Sequence, residues 1–168
     1  MSGRVRVMTD PDRCRRGAMR KSDTPLRELE MDVVDFGFLT AARHFCASFA
    51  SPQGSAWVFA MLSPETFFPG AESAEKMRRA LAVVQEMRTS RRSTFRFSNP
   101  LCACCAGIVT QDERHLLQLV QHARMGQRSG AASSAMLLCE GHATKELMLA
   151  THRFAETVGA PQANKIIA

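Results

Sequence analysis

The stretch "TQDERHLLQLVQHA", residues 110–123, holds both a helix start and a helix face. Thr110 and Glu113 have the spacing of a capping box: the Thr110 hydroxyl can accept from the Glu113 amide, and the Glu113 carboxylate can reach back to the Thr110 N–H. Beyond the cap, Leu116, Leu117, Val120 and Ala123 recur at steps of three and four, which places them on one side of a helix. Gly126 and Gly130 in "MGQRSG" mark its end.

The same period extends through most of the chain. Phe38, Leu39, Ala42, Phe45, Cys46 and Phe49 form one stripe, which "SPQG" at 51–54 stops. "SAWVFAML" at 55–62 reads as a short buried helix before "SPETFFPG". Met77, Ala80, Leu81, Val84 and Met87 make a second long stripe, with Lys76, Arg78, Arg79 and Glu86 covering most of the other faces. "AASSAMLLC" at 131–139 is a small-residue helix, and Thr144 can cap a last helix whose stripe is Leu147, Thr151, Phe154 and Val158. Only "TFRF" at 94–97 interrupts the pattern: Phe95 and Phe97 alternate about Arg96, as in a short extended piece. The fold expected is all-α, a small domain of about five helices with a cysteine-rich knuckle.

The ends differ from the middle. Residues 1–30 hold eight Lys/Arg and five Asp/Glu, a net +3 of the chain's +6, with little periodicity. Such a segment buries too little apolar surface to offset its ordering, so a mobile basic arm is expected over 1–30. It can equally precede a true start at Met19 or Met31. The helical domain is expected over 31–160, with a flexible tail over 161–168. No apolar run is long enough to span a bilayer. A soluble, cytoplasmic protein is expected, in a reducing compartment where clustered cysteines suggest metal or redox chemistry more than disulfides.

Of six cysteines, three fall within four positions, in "NPLCACCAG" at 99–107. Three readings compete: a metal knuckle, a redox-active pair, or small apolar side chains in a core. Cys102 and Cys105 are a C-x2-C pair, and "CEGH" supplies Cys139 and His142 at the same spacing. Paired thiolate and imidazole donors at short spacing suit tetrahedral zinc. Each pair precedes an expected helix, so one ion held by Cys102, Cys105, Cys139 and His142 would tie two helix starts together. Neighbouring side chains diverge, so Cys104 is expected to replace Cys102 or to remain a thiol, with His152 as a spare ligand. Cys14 and Cys46 are expected to stand apart.

Arg88, Arg91, Arg92 and Arg96 form the densest basic run outside the arm. With Phe95 and Phe97 they can meet phosphates and bases, or they can be a solvated loop whose phenylalanines dock into the core. His115 and His122 read as surface histidines. Ser73 and Lys76 match S-x-x-K without the motif's companions, and no phosphate loop, dinucleotide fingerprint, H-E-x-x-H or G-x-S-x-G element occurs. No residue is expected to be catalytic. The expectation is a zinc-stabilised regulatory or adaptor protein that binds nucleic acid or an acidic protein surface. The alternative is a thiol-based redox sensor or enzyme using Cys102–Cys105.

Overall fold

A computed structural model describes residues 20–161 and the backbone of Val5–Val7. The expected tail lies almost wholly outside the described residues, as does most of the expected arm. Among the described residues the chain is mostly helical, with eight α-helices: α1 (Val33–Ala50), α2 (Ala56–Leu62), α3 (Pro64–Phe67), α4 (Ser73–Ser90), α5 (Ala103–Ala106), α6 (Gln111–Arg124), α7 (Arg128–Leu138) and α8 (Lys145–Val158). Five of these have eleven residues or more, and the other three are single turns or short pieces.

Four short strands supplement them. β1 (Val5–Val7) pairs in parallel with β3 (Phe95–Phe97), and β2 (Thr24–Pro25) pairs antiparallel with β4 (Ile108–Val109). Thus the described parts of the 1–30 segment make backbone bonds to strands some eighty or ninety residues later in the chain. Arg114 donates to the Thr24 hydroxyl at 3.1 Å, and Asp23 faces Arg96 at 3.4 Å. Leu26 and Leu29 pack against a small core of Met31, Leu39, Val109 and Leu117.

The main core brings the expected stripes together. Phe38, Phe45, Met77, Val84, Met87, Leu116 and Phe154 are all buried in one cluster, with Phe38 and Phe154 ring centroids 5.1 Å apart. α4 packs on α8, and α6 on α7. Phe95 and Phe97 dock into this core at 2% and 0% exposure, because the alternation about Arg96 turns both rings inward. Close approach of α1 to α3 depends on Gly37, where a Cβ would sit 1.9 Å from the Phe67 carbonyl oxygen.

The capping box at Thr110 and Glu113 forms as its spacing requires, with bonds of 3.2 and 2.8 Å. A second box opens α1, where Asp32 accepts from the Asp35 N–H at 2.9 Å and Asp35 reaches back. Two local expectations change. Thr144 occupies the cap position of α8, but its side chain makes no cap bond. "AWVFAML" is helical, yet only Ala60 is buried; Trp57, Phe59, Met61 and Leu62 are exposed. A seven-residue helix lying on α1 can bury one narrow face, so its remaining apolar side chains stay outside. No helix among the described residues is long and apolar enough to cross a membrane.

Candidate metal centre

The knuckle begins where β3 ends. Asn99 turns the chain: its side-chain oxygen accepts from the Leu101 N–H at 2.9 Å, and its backbone oxygen from the Cys102 N–H at 3.3 Å. Cys102 then stands at the cap of α5, whose single turn closes through Ala106 N–H to the Cys102 carbonyl at 2.8 Å. A turn of helix brings residues three apart onto one side, which aligns Cys102 with Cys105. The Sγ atoms of Cys102, Cys104 and Cys105 all lie within 4.8 Å of one another. Cys102 and Cys104 sulfurs are 3.0 Å apart. The expected divergence of Cys104 from Cys105 therefore does not carry their sulfurs out of reach of one ion.

The three differ in exposure: Cys104 is exposed, Cys102 intermediate and Cys105 buried. Their acidities differ accordingly. The Cys105 N–H and thiol, with a smaller contribution from the Cys104 N–H, hold the Cys102 thiol below its ordinary value. Burial pushes Cys105 up to about 11; the neighbouring Cys102 adds to this and the Arg43 guanidinium opposes it. Cys104 is disulfide-bonded, whereas Cys46, Cys102, Cys105 and Cys139 are thiols. The sixth cysteine, Cys14, lies outside the described residues. Burial keeps Cys46 strongly protonated.

Arg43 of α1 braces the segment that follows the knuckle. It donates to the carbonyls of Ala106 at 2.8 Å and Ile108 at 2.6 Å, and its Nε meets Glu113 at 2.7 Å. Glu113 also accepts from the backbone N–H groups of Ser98 and Thr110, so the strand before the knuckle and the helix after it share one carboxylate. Motif spacing does not reveal this clamp. One signal was present: Arg43 is the only Lys, Arg, Asp or Glu between Asp35 and Glu65. A lone charge inside an apolar stripe calls for a buried partner.

Cys139 and His142 stand outside the sulfur triple, which is the one such group of three among the described residues. Cys139 is fully buried at the end of α7, and burial raises its thiol despite the Arg91 guanidinium and a hydrogen bond with Ser90. The "CEGH" turn passes through left-handed Glu140 and Gly141 and closes from the His142 N–H to the Cys139 carbonyl at 2.9 Å. It fastens to the basic loop, through Glu140 to Ser93 and to Arg91. His152, the spare ligand, sits exposed 3.3 Å from Glu156.

The four arginines divide in the same way. Arg91 is 8% exposed and donates to the Leu138 carbonyl, Ser93 and Asp112 while lying over the Phe95 ring. Arg88 lies over Phe49 and bonds Gln85, and Arg96 faces Asp23. Arg92 is exposed. Arg91 thus joins α4, α6 and α7.

No protein-family model matches the chain, and comparison with curated proteins and with solved structures gives no match either.

Proposed function

We propose that this is a helical adaptor or regulatory protein whose Cys102–Cys104–Cys105 knuckle binds a thiophilic metal ion, with zinc as the ion. The observation that carries this reading is the convergence of three sulfurs within 4.8 Å on one turn of chain. Zinc–thiolate bonds of about 2.3 Å in tetrahedral geometry separate sulfurs by about 3.8 Å, so only small side-chain rotations are needed. With Cys104 reduced, three protein thiolates would leave a fourth position for water or a donor from a partner. Bound between β3 and α6, the ion would stiffen the segment that Arg43 and Glu113 already brace. The net charge of +6 supports an acidic partner, and the exposed Arg92 gives that charge a place on the loop.

A second reading rests on the contrast between Cys102 and Cys105. An accessible thiol of lowered pKa three residues before a buried thiol of raised pKa is the pattern of a dithiol redox pair. One experiment separates the two. Purified protein, reduced and then freed of reductant, is titrated with zinc against a chromophoric chelator, and its accessible thiols are counted with and without the metal. Stoichiometric zinc that masks the thiols supports the metal reading. Fully reactive thiols with no zinc bound reject it and leave the redox pair.

A further inference from the structure

The short helix α2 holds four of the ten large apolar side chains that stand exposed among the described residues: Trp57, Phe59, Met61 and Leu62. At 3.6 residues per turn, Trp57, Met61, Leu62 and Phe59 follow one another round the outer side of the helix, away from buried Ala60. Together they present on the order of 400 Å² of apolar surface, with each aromatic side chain half exposed out of about 150–250 Å². The largest apolar patch of a typical monomer is about 300–600 Å² and is often functional. The surroundings are neutral. No Lys, Arg, Asp or Glu falls between Arg43 and Glu65, and Ser51, Pro52, Gln53 and Ser55 lie exposed in the turn before α2.

We infer that the outer face of α2 is a self-association surface, across which two copies of this chain meet about a two-fold axis. The inference is independent of the metal reading. Charge selects the occupant. The chain carries a net +6, so two copies repel one another on average. A two-fold contact sets a patch against itself, and any charge close to the axis meets its own copy. A neutral apolar patch meets itself without that repulsion. To an acidic protein surface the same patch offers no cation to pair, and to an anionic lipid surface it offers none of the basic residues that hold a chain there. Area sets the strength. Two such faces with their neutral turns would bury roughly 800–1,000 Å², below the ~1,200 Å² at which stable complexes begin. The dimer is therefore weak and forms in the micromolar range or above.

Trp57 is the chain's one tryptophan, so its emission reads this surface directly. Full-length protein, shown by non-reducing electrophoresis to carry no inter-chain disulfide, is followed by sedimentation equilibrium from low micromolar to millimolar concentration. Trp57 emission is recorded over the same range. The mass should double across it, and the emission should move to shorter wavelength in step as the indole leaves water. Leu62 is 76% exposed, so Leu62→Glu should keep the circular dichroism spectrum of the parent. Its carboxylate would meet its own copy, and association should weaken by about tenfold or more. A monomeric mass at every concentration overturns the inference. So does a doubling of mass that leaves Trp57 emission unmoved, or a Leu62→Glu variant that associates as the parent does, since either would place the contact elsewhere. If the protein stays monomeric and its emission shifts on adding phosphatidylcholine–phosphatidylserine vesicles, the face belongs to lipid instead.

Discussion

Arg43 and Glu113, seventy residues apart in sequence, meet at 2.7 Å with their side chains 5% and 2% exposed. Desolvation makes such a pair costly to assemble and more costly to halve. Removing one partner typically loses about 3–5 kcal/mol, because a charge remains buried without its counter-ion. Arg43→Met, which keeps the aliphatic stem, should lower stability by about that much in urea unfolding, as should Glu113→Leu. The double variant should recover part of the loss. Additive losses would show that the two charges are not coupled.

Metal content discriminates between the donor sets. Cys105→Ser should lower both zinc stoichiometry and melting temperature in reduced protein, since binding free energy is also folding free energy. Cys139→Ser and His142→Ala should leave stoichiometry at its parent value, because neither residue belongs to the sulfur triple. Loss of zinc in His142→Ala would restore the ligand set with paired C-x2-C and C-x2-H donors.

His44 makes stability depend on pH. It is 5% exposed, its Nδ1 has no hydrogen-bond partner among the described residues, and its ring lies against Phe59 and Phe67. Burial lowers its pKa from the ordinary 6.5. As pH falls, the unfolded chain takes up a proton before the folded one, so stability falls below pH 6.5 and levels off once the lower folded value is passed. The slope has a ceiling of about 1.4 kcal/mol per pH unit for one proton. His44→Gln should unfold with a shallower pH dependence below pH 6.5, by at most one proton. An unchanged slope would show that His44 does not titrate differently in the two states.

Deleting residues 1–30 tests what the amino-terminal segment contributes. The deletion removes the β2–β4 pairing, the Asp23–Arg96 contact and the packing of Leu26 and Leu29. Burying two leucines in part and satisfying a few backbone groups together amount to a few kcal/mol. The melting midpoint should fall by roughly 10 °C or more, on the usual conversion for a domain of this size. A midpoint within a degree or two of the parent would mean these contacts are marginal.

Gly37→Ala examines the contact between α1 and α3. Its Cβ would meet backbone oxygen, which cannot rotate aside as a side chain can. The helices must separate, at an expected cost of about 1–3 kcal/mol in stability. Wild-type stability would show that α3 shifts freely.

Helical periodicity was legible wherever apolar residues repeat on one face, as in Phe38 to Phe49 and Met77 to Met87. The Thr110 box was legible because both its partners lie within one turn. What escaped the sequence depends on distant partners. Two- and three-residue strands such as Thr24–Pro25 leave no period, and their pairing mates lie far along the chain. The C-x2-C and C-x2-H spacings are local, whereas a four-ligand site also needs the two turns to meet. Cys139 ends α7 beside Arg91, and Cys104 lies with Cys102 and Cys105 in the sulfur group. Exposure of Trp57 and Leu62 followed from what α2 packs on, which hydrophobicity alone does not show.

The charges buried along α1 also constrain the order of folding. Arg124 donates to both Asp32 and Asp35 from 92 and 89 residues away, and Arg43 finds Glu113 across 70. While the chain is being synthesised, α1 emerges long before α6 exists. Until then its acidic and basic side chains have no counter-ions to bury against, and the amino-terminal half cannot collapse into its final packing as an independent unit. Closing such long loops precedes the gain in contacts, so the molecule should fold more slowly than a helical bundle stitched by neighbouring turns. A nascent chain ending before residue 110 would expose the apolar stripe of α1 and is where a chaperone would be needed most.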